Sequence, residues 1–163
     1  MDGVVARARA VDWPALKTVR LAALADAPTA FGVTHASAAA LTDEQWRARA
    51  AGELGPVFWL AWNGDQAVGL AGGGVASDGR YNLIAMWVAP AQRGSGVAAR
   101  LVDAVKAHAV AEGHARVVLD VAPDNARAAA FYARQGFVFI DEWEPLASHP
   151  AIQVQKMVWT AVS

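Results

Sequence analysis

Hydrophobic and polar positions along the first part of the chain predict a strand followed by two helices. Val4–Arg9 alternates apolar and basic residues, a pattern typical of an edge strand. Leucine, valine and alanine then recur at helical spacing over Trp13–Asp26, which predicts the first helix. Thr42 and Gln45 form a capping-box pattern, which predicts that a second helix begins there and continues to Ala51.

The middle of the chain predicts three strands. The apolar segments Pro56–Trp62 and Gln66–Val75 are separated by an Asn-Gly-Asp turn, which is typical of a β-hairpin. A Ser-Asp-Gly turn then leads to a third strand, Tyr81–Val88. Gly72-Gly73-Gly74 comes late in the second strand and no helix follows it. We therefore interpret these glycines as a bulge or a close backbone approach, and not as a phosphate loop.

The pattern changes in the second half, where helices and strands alternate. An alanine-rich helix is predicted over Gly96–Glu112, and the continuous apolar segment Arg116–Val121 predicts a strand that is buried on both faces. A further helix begins near Asn125, and the strands Phe137–Trp143 and Gln153–Trp159 follow it. The sequence thus predicts one α/β domain over residues 1–163, with an antiparallel hairpin and a strand–helix–strand crossover.

Composition and charge narrow the classes of function. Fourteen Lys and Arg against fifteen Asp and Glu give a net charge of −1, so no excess of positive charge supports nucleic-acid binding. The apolar runs are far shorter than the ~20 residues of a membrane-spanning helix, and the first residues lack the apolar core of a signal peptide. The chain has no cysteine, and its histidines lack metal-ligand spacing. We expect a cytoplasmic protein without a metal, a membrane or a nucleic-acid partner.

The segment with the clearest chemistry is Met86–Ala99, which passes from a strand through a glycine-containing loop into a helix. Loop N–H groups and the partial positive charge of a helix N-terminus suit a phosphate or pyrophosphate. Gly94–Ala99 also fits the dinucleotide pattern Gly-x-Gly-x-x-Ala, with Asp120 about twenty residues further on. Against this alternative, Pro90 and a spacer separate the strand from the first glycine, and too few residues follow for a doubly wound domain.

Two motifs resemble the GNAT superfamily of acyl-CoA-dependent N-acyltransferases. Arg93-x-x-Gly96-x-Ala98 matches the superfamily pattern Gln/Arg-x-x-Gly-x-Gly/Ala. Asn125–Phe137 follows at the usual distance and resembles the pattern Asn-x-x-Ala-x-x-hydrophobic-Tyr-x-x-x-Gly-Phe. The order and the strand–helix context of the two motifs make the resemblance specific. It implies a central mixed, mostly antiparallel sheet with two splayed parallel strands and helices on both faces.

The resemblance implies a site for acetyl-CoA as co-substrate. The strand residues Met86, Trp87 and Val88 would offer backbone groups to the pantetheine arm between the splayed strands. Backbone N–H groups of the loop would bind the pyrophosphate; they belong to Gly94, Ser95, Gly96, Val97 and Ala98. Arg93 would begin this loop and add positive charge, and Asn125 would contact the pantetheine.

The resemblance also implies the catalytic groups. Tyr132 would lie near the sulfur, where a phenol can protonate the departing thiolate. Its alternative role is packing beside Phe131. Many relatives carry a glutamate base on the strand that corresponds to Tyr81–Val88, which here has no acid, and we select Glu142 as the candidate base. The alternatives are a water relay and the side chains of Asp120, Glu144 and His149.

The expected function is transfer of an acetyl group from acetyl-CoA to a primary amine of a small molecule or peptide, in a bacterial protein that can form a homodimer. The acceptor pocket is expected around Phe31–His35 and Asp141–His149, because these segments flank the splayed strands in the family. Two alternatives stay open. One is a non-catalytic acyl-CoA-binding or regulatory module, which could dispense with Tyr132, and the other is a dinucleotide-binding protein.

Overall fold

The computed structural model describes residues 4–161, and its elements alternate largely as the sequence predicts. In chain order they are β1 (Val4–Arg7), α1 (Trp13–Asp26), α2 (His35–Ala39), α3 (Asp43–Ala51), β2 (Val57–Asn63), β3 (Gln66–Val75), β4 (Tyr81–Val88), α4 (Val97–Ala111), β5 (Arg116–Val121), α5 (Ala126–Arg134), β6 (Val138–Leu146) and β7 (His149–Thr160). Short 3₁₀ turns over Ala10–Asp12 and Pro90–Gln92 precede α1 and follow β4.

The strands form one sheet in the order β1-β2-β3-β4-β5-β7-β6. Neighbouring strands are antiparallel except β4 and β5, which run parallel. The register of β4 and β5 has a single matched pair, Asn82 with Val118, so the two strands separate towards their carboxyl ends. The mixed, mostly antiparallel sheet with a splay between two parallel strands is confirmed. It also differs from the doubly wound parallel sheet that the dinucleotide alternative requires.

Helices cover both faces of the sheet, and each face has its own core. The α1 face is covered by α1, α2 and α3, which pack on the inward side chains of the first strands. Its largest buried residues are Leu16, Leu24, Phe31, Trp46, Phe58, Leu60 and Leu70. The α4 face is covered by α4 and α5 and contains Val97, Leu101, Val105, Val117, Leu119, Phe137 and Met157. None of the described helices is long and apolar enough to cross a membrane.

Short sequence patterns predicted several local features of this fold correctly. The Thr42 hydroxyl accepts from the Gln45 N–H at 3.2 Å, and the Gln45 side chain accepts from the Thr42 N–H at 2.8 Å, which confirms the capping box. The glycines of β3 are a close approach as predicted. A Cβ on Gly72 would lie 2.8 Å from the Phe58 ring, and one on Gly74 would lie 3.0 Å from the Pro56 Cα.

The predicted strand ends were wrong in the last hairpin. β6 extends to Leu146 and β7 begins at His149, so most of the segment Asp141–His149, which is expected beside the acceptor pocket, is strand. Pairing across the hairpin overrides the weak strand preference of its Glu and Pro residues. Helix α2 was not predicted. It has five residues, and the Thr34 hydroxyl caps it by accepting from the Ser37 N–H at 3.1 Å.

Candidate functional site

The gap between β4 and β5 exposes backbone groups of β4. The Ala89 N–H donates to the Val68 carbonyl at 2.8 Å, and Trp87 pairs with Leu70 of β3. Backbone groups alternate between the two sides of an antiparallel strand. Trp87 therefore directs its N–H and C=O to β3, whereas Met86 and Val88 direct theirs to the gap. Of the three residues predicted to contact the pantetheine through the backbone, Trp87 uses its backbone groups in the sheet. Met86 and the N–H of Val88 remain available, whereas the Val88 carbonyl accepts from Arg93 Nε.

A bulge in β4 lies where the gap opens. The register of β3 and β4 shifts between Leu70 and Gly72, and Ala85 has a φ of 59°. Among the described residues, Ala85 is the only non-glycine with a positive φ. Such backbone strain costs free energy and is concentrated at functional sites. Alanine gives no signal for this conformation, so the sequence did not reveal the bulge.

The glycine loop ends in an uncapped helix. Gly94 and Gly96 both have a φ of 85°, and Gly96 is the N-cap of α4 without a side-chain cap. Within the described part of the chain, the N–H groups of Gly94, Gly96, Val97 and Ala98 have no hydrogen-bond acceptor. A Cβ on Gly94 would meet nothing within 4 Å, so space lies in front of the loop. Free donors, the helix dipole and open space together suit an anion such as a pyrophosphate.

Ser95 contributes differently from its neighbours. Its backbone N–H donates to the Gln92 carbonyl at 3.3 Å, and its hydroxyl donates to the same carbonyl at 2.6 Å. The predicted donation from the Ser95 N–H to a pyrophosphate is therefore in competition with the 3₁₀ turn. The side chain shapes the loop and leaves the N-terminus of α4 uncapped.

Arg93 fastens the loop to the strand and to α1. Its Nε donates to the Val88 carbonyl at 3.0 Å, and its Nη2 lies 3.1 Å from Oδ2 of Asp26. The indole of Trp87 donates to the same oxygen at 3.0 Å. The Trp87 and Arg93 hydrogen bonds hold the pKa of Asp26 below its usual value. The charge that Arg93 was expected to add is thus largely neutralised by Asp26, a residue that the sequence did not single out.

Asn125 caps α5 and keeps a free amide. Its Oδ1 accepts from the Ala128 N–H at 3.3 Å, as expected of an N-cap. Its Nδ2 has no partner among the described residues, and the side chain is exposed. The cap and a ligand contact can therefore coexist, because they use different atoms of the amide.

Tyr132 is half-buried on α5 between two aromatic rings. Its ring lies edge-on to Phe131 at 5.3 Å and to Phe137 at 5.8 Å between centroids. The hydroxyl has no hydrogen bond to any described residue. Burial raises the pKa of Tyr132, which keeps the phenol protonated at neutral pH. The group is positioned by packing and retains a proton that it can donate.

Glu142, the predicted base, is held by an arginine. Both of its carboxylate oxygens accept from Arg80, at 2.9 and 3.0 Å, and this interaction holds the pKa of Glu142 below its usual value. A carboxylate with a lowered pKa that shares two hydrogen bonds is a poor proton acceptor. The sequence missed this pair because Arg80 and Glu142 lie 62 residues apart.

Asp120 differs from Glu142, because its pKa is shifted in the opposite direction. It lies on β5 two positions after Val118, where β5 leaves β4, and it lines a cavity of about 360 Å³. Burial, offset by Lys156 at 2.9 Å and reinforced by Glu144, raises the pKa of Asp120. We call this space the acidic cavity; its charged residues are Asp78, Asp120, Glu144 and Lys156. The structure thus increases the proton affinity of Asp120, whereas Arg80 decreases that of Glu142.

A second cavity, of about 270 Å³, lies under α1, α2 and α3 and reaches the β4 bulge at Ala85. We call it the arginine cavity; its polar lining includes Arg20, Ser37, Trp46 and Arg49. Pro56 and Ile84 line both cavities.

The two segments expected around the acceptor pocket, Phe31–His35 and Asp141–His149, are in contact. The Ser148 hydroxyl donates to the Phe31 carbonyl. In the described part of the chain, no three His, Asp or Glu side chains cluster as metal ligands.

Solved structures share this architecture across nearly the whole chain. A GNAT-family acetyltransferase from Streptococcus pneumoniae has a TM-score of 0.79 at 17% identity, covering 99% of this chain and 100% of its own. A structure assigned to the GNAT family from Desulfovibrio desulfuricans has a TM-score of 0.76 at 20% identity, covering 98% and 99%. The yncA protein of Salmonella typhimurium, solved with its cofactor acetyl-CoA, has a TM-score of 0.74 at 18% identity, covering 100% and 96%.

The sequence comparison identifies the family independently of these structures. No curated protein matches the chain at a significant level. The family model described as Acetyltransferase (GNAT) family matches residues 20–137, which is well over half of the chain. The matched residues include the glycine loop, the splayed strands and both sequence motifs. The chain therefore belongs to the GNAT family of acetyltransferases, which transfer an acetyl group from acetyl-CoA.

Proposed function

We propose that this protein acetylates a primary amine of a small molecule or peptide. The observation that carries the proposal is the gap between β4 and β5, which opens beside Asp120 and a bulged β4 and is flanked by the uncapped N-terminus of α4. Family membership supplies the donor, acetyl-CoA. An amine suits this site because its ammonium form is attracted by the acidic side chains of the acidic cavity.

The backbone of the chain provides most of the donor site in this proposal. The free N–H groups of Gly94, Gly96, Val97 and Ala98 bind the pyrophosphate, since they converge at a helix N-terminus with open space before it. Met86 and Val88 offer backbone groups to the pantetheine arm, and the free Nδ2 of Asn125 reaches it from α5. Arg93 positions the loop through Val88 and Asp26.

The chemistry requires the nitrogen to lose two protons and the sulfur to gain one. The acceptor arrives as an ammonium ion, and Asp120 takes one proton so that the nitrogen lone pair can attack the thioester carbonyl carbon. A C–N bond forms, the carbonyl oxygen becomes an oxyanion, and its collapse breaks the C–S bond. Tyr132 then donates its proton to the departing sulfur, the nitrogen releases its second proton to water as the amide forms, and solvent exchange restores both side chains. The raised pKa values of Asp120 and Tyr132 suit a base and an acid, respectively.

The test is turnover with a panel of amines. Purified protein is mixed with acetyl-CoA and each amine, thiol release is followed spectroscopically, and the product is identified by mass. An acetylated amine formed only with enzyme supports the proposal. Binding of acetyl-CoA without turnover of any amine overturns it in favour of the non-catalytic module.

Replacing Asp120 tests the assignment of the base. We expect Asp120→Asn to lower kcat by about 10²–10⁴-fold, because the amide cannot accept the ammonium proton. In the wild type, activity should fall as the pH falls through an Asp120 pKa that lies above the usual carboxyl value, and Asp120→Asn should lose this acidic limb. Glu142→Gln is the matched control and should retain both the rate and the limb. Loss of the limb in Glu142→Gln alone would return the role of base to Glu142.

Replacing Asn125 separates its two contacts. Asn125→Ala should weaken acetyl-CoA binding by about 1–2 kcal/mol through loss of the amide donor, and it should lower Tm because the α5 cap is removed. Asn125→Asp keeps an acceptor for the cap and removes the donor. It should therefore retain most of the Tm and still lose affinity, as measured by calorimetry. Normal affinity in Asn125→Asp would leave Asn125 with the cap alone.

A further inference from the structure

The arginine cavity contains unpaired hydrogen-bond donors. Among the described residues, three buried side-chain nitrogen atoms lack a hydrogen-bond partner: Nη1 of Arg20, Nε1 of Trp46 and Nε of Arg49. All three residues line this one cavity. Buried polar groups are almost always satisfied, and an unsatisfied one costs free energy. Three such atoms on one cavity indicate that something outside the described chain supplies the acceptors.

The charges in the cavity are of one sign. Arg20 and Arg49 line it, and no aspartate or glutamate does. Neither guanidinium has an ion pair or a hydrogen bond with another described residue. Burial, and then the positive charge of Arg49, lower the pKa of Arg20 to about 10, so this guanidinium stays cationic at neutral pH. Arg20 lies over the Phe31 ring, 4.7 Å from its centroid, which holds the guanidinium in place without neutralising it.

The position of the cavity links it to the reaction. It extends to Ile84 and Ala85, at the bulge where β4 leaves β5, and it shares Ile84 and Pro56 with the acidic cavity. A molecule that spans both cavities meets two arginines at one end and Asp120 at the other. Two half-buried cations without a counterion are complementary to an anion, and arginine donors match the geometry of an oxyanion.

We propose that the arginine cavity binds an anionic group of the acceptor, so that the substrate is a small amine that also carries a carboxylate or another oxyanion. The inference rests on the proposed acetylation of amines and narrows the acceptor class. The oxyanion accepts from Arg20, Arg49 and the Trp46 indole, while the ammonium end lies towards Asp120. The cavity volume of about 270 Å³ suits a small molecule rather than a folded protein segment.

The first measurement compares acceptors that differ only in the anion. α-Amino acids are assayed against their α-amides, with aminophosphonates as a third set that distinguishes a carboxylate from a tetrahedral oxyanion. We expect kcat/KM to be about 10–100-fold higher for one of the anionic sets than for the neutral amides, as charge-assisted hydrogen bonds predict. Arg20→Gln and Arg49→Gln should remove this preference and leave the affinity for acetyl-CoA unchanged. Arg47→Gln, an exposed arginine on the same helix as Arg49, is the matched control and should keep it.

A second measurement does not depend on turnover. Amino acids or inorganic phosphate should raise the Tm of the wild type, because they bind only the folded protein, and Arg20→Gln should abolish the rise. Arg20→Gln without ligand should melt no lower than the wild type, since it removes a half-buried charge whose buried Nη1 is unpaired. A structural arginine would give the opposite result. If the Arg20→Gln variant does not fold, Arg20→Lys retains the charge without the planar donor geometry and should reduce the preference.

The outcomes separate this inference from the proposed function. Acetylation of amines with equal efficiency for anionic and neutral acceptors overturns the anion site and leaves the function intact. Stabilisation by anions that depends on Arg20, with no acetylation of any amine, overturns the function and retains the site. If neither acetylation of an amine nor Arg20-dependent stabilisation by anions is observed, both the proposed function and the anion site are overturned.

Discussion

Gly96→Asp should weaken acetyl-CoA binding by about 10–100-fold, the largest expected effect on affinity. Gly96 is the N-cap of α4, with free N–H groups at Gly94, Val97 and Ala98 around it. An aspartate there accepts from the N–H groups of the first helical turn itself, as an N-cap side chain does, and places a negative charge where the pyrophosphate binds. A hydrogen bond to a charged group contributes about 1.5–3 kcal/mol. Its loss raises the Kd by about 10–100-fold, because about 1.4 kcal/mol corresponds to a tenfold change in Kd.

Two controls separate charge from backbone strain. Gly96→Asn adds almost the same atoms without the charge, and asparagine tolerates a positive φ better than most residues, so it should lose less affinity. Gly113→Asp adds the same side chain at a φ of 87° near the other end of α4, with no atom within 4 Å of its Cβ. It should cost stability and leave the Kd for acetyl-CoA unchanged, as measured by calorimetry. An unchanged Kd in Gly96→Asp would contradict the pyrophosphate site.

The parts of the site that are local in sequence could be predicted from it. The glycine loop needs residues adjacent in the chain, and the left-handed φ at Gly94 and Gly96 is a property that glycine signals directly. The cap at Asn125 and the capping box of α3 likewise depend on contacts over three residues. The parallel order of the splayed strands follows from the crossover that the second half of the chain predicts.

Contacts between distant residues could not be predicted in the same way. The bond from Arg93 to Asp26 joins positions 67 residues apart, and the pair of Arg80 with Glu142 joins positions 62 apart. The first neutralises charge beside the glycine loop, and the second occupies both carboxylate oxygens of the predicted base Glu142. The bulge at Ala85 is imposed by the sheet against the preference of alanine.

The arginine cavity also depends on contacts between distant residues and could not be predicted from the sequence. Arg20 lies on α1 and Arg49 on α3, and each reads in the sequence as an ordinary charged position of an amphipathic helix. Only the packing of three helices on β2 and β4 brings them together without an acidic partner. Their unsatisfied donors are a property of the folded chain, as are the raised pKa of Asp120 and the lowered pKa of Glu142.

The second large effect is expected at Tyr132, where Tyr132→Phe should lower kcat by up to about 10²–10⁴-fold, the usual range for a positioned acid. The substitution removes one O–H and almost no volume, and the ring still packs on Phe131 and Phe137. The Tm and the Kd for acetyl-CoA should therefore stay the same. The loss is smaller if water or backbone N–H groups stabilise the thiolate, since a CoA thiol is weakly basic.

The other tyrosine of the chain provides the matched control. The Tyr81 hydroxyl lies 2.8 Å from Nδ1 of His108, away from the glycine loop on the α4 face, so Tyr81→Phe should lower Tm and leave kcat unchanged. Because burial raises the pKa of Tyr132, the wild type should keep its acid beyond the ordinary tyrosine pKa of about 10. A fall in kcat at constant Kd identifies an interaction made mainly in the transition state. Wild-type kcat in Tyr132→Phe would return Tyr132 to packing and leave the departing thiolate to solvent and backbone donors.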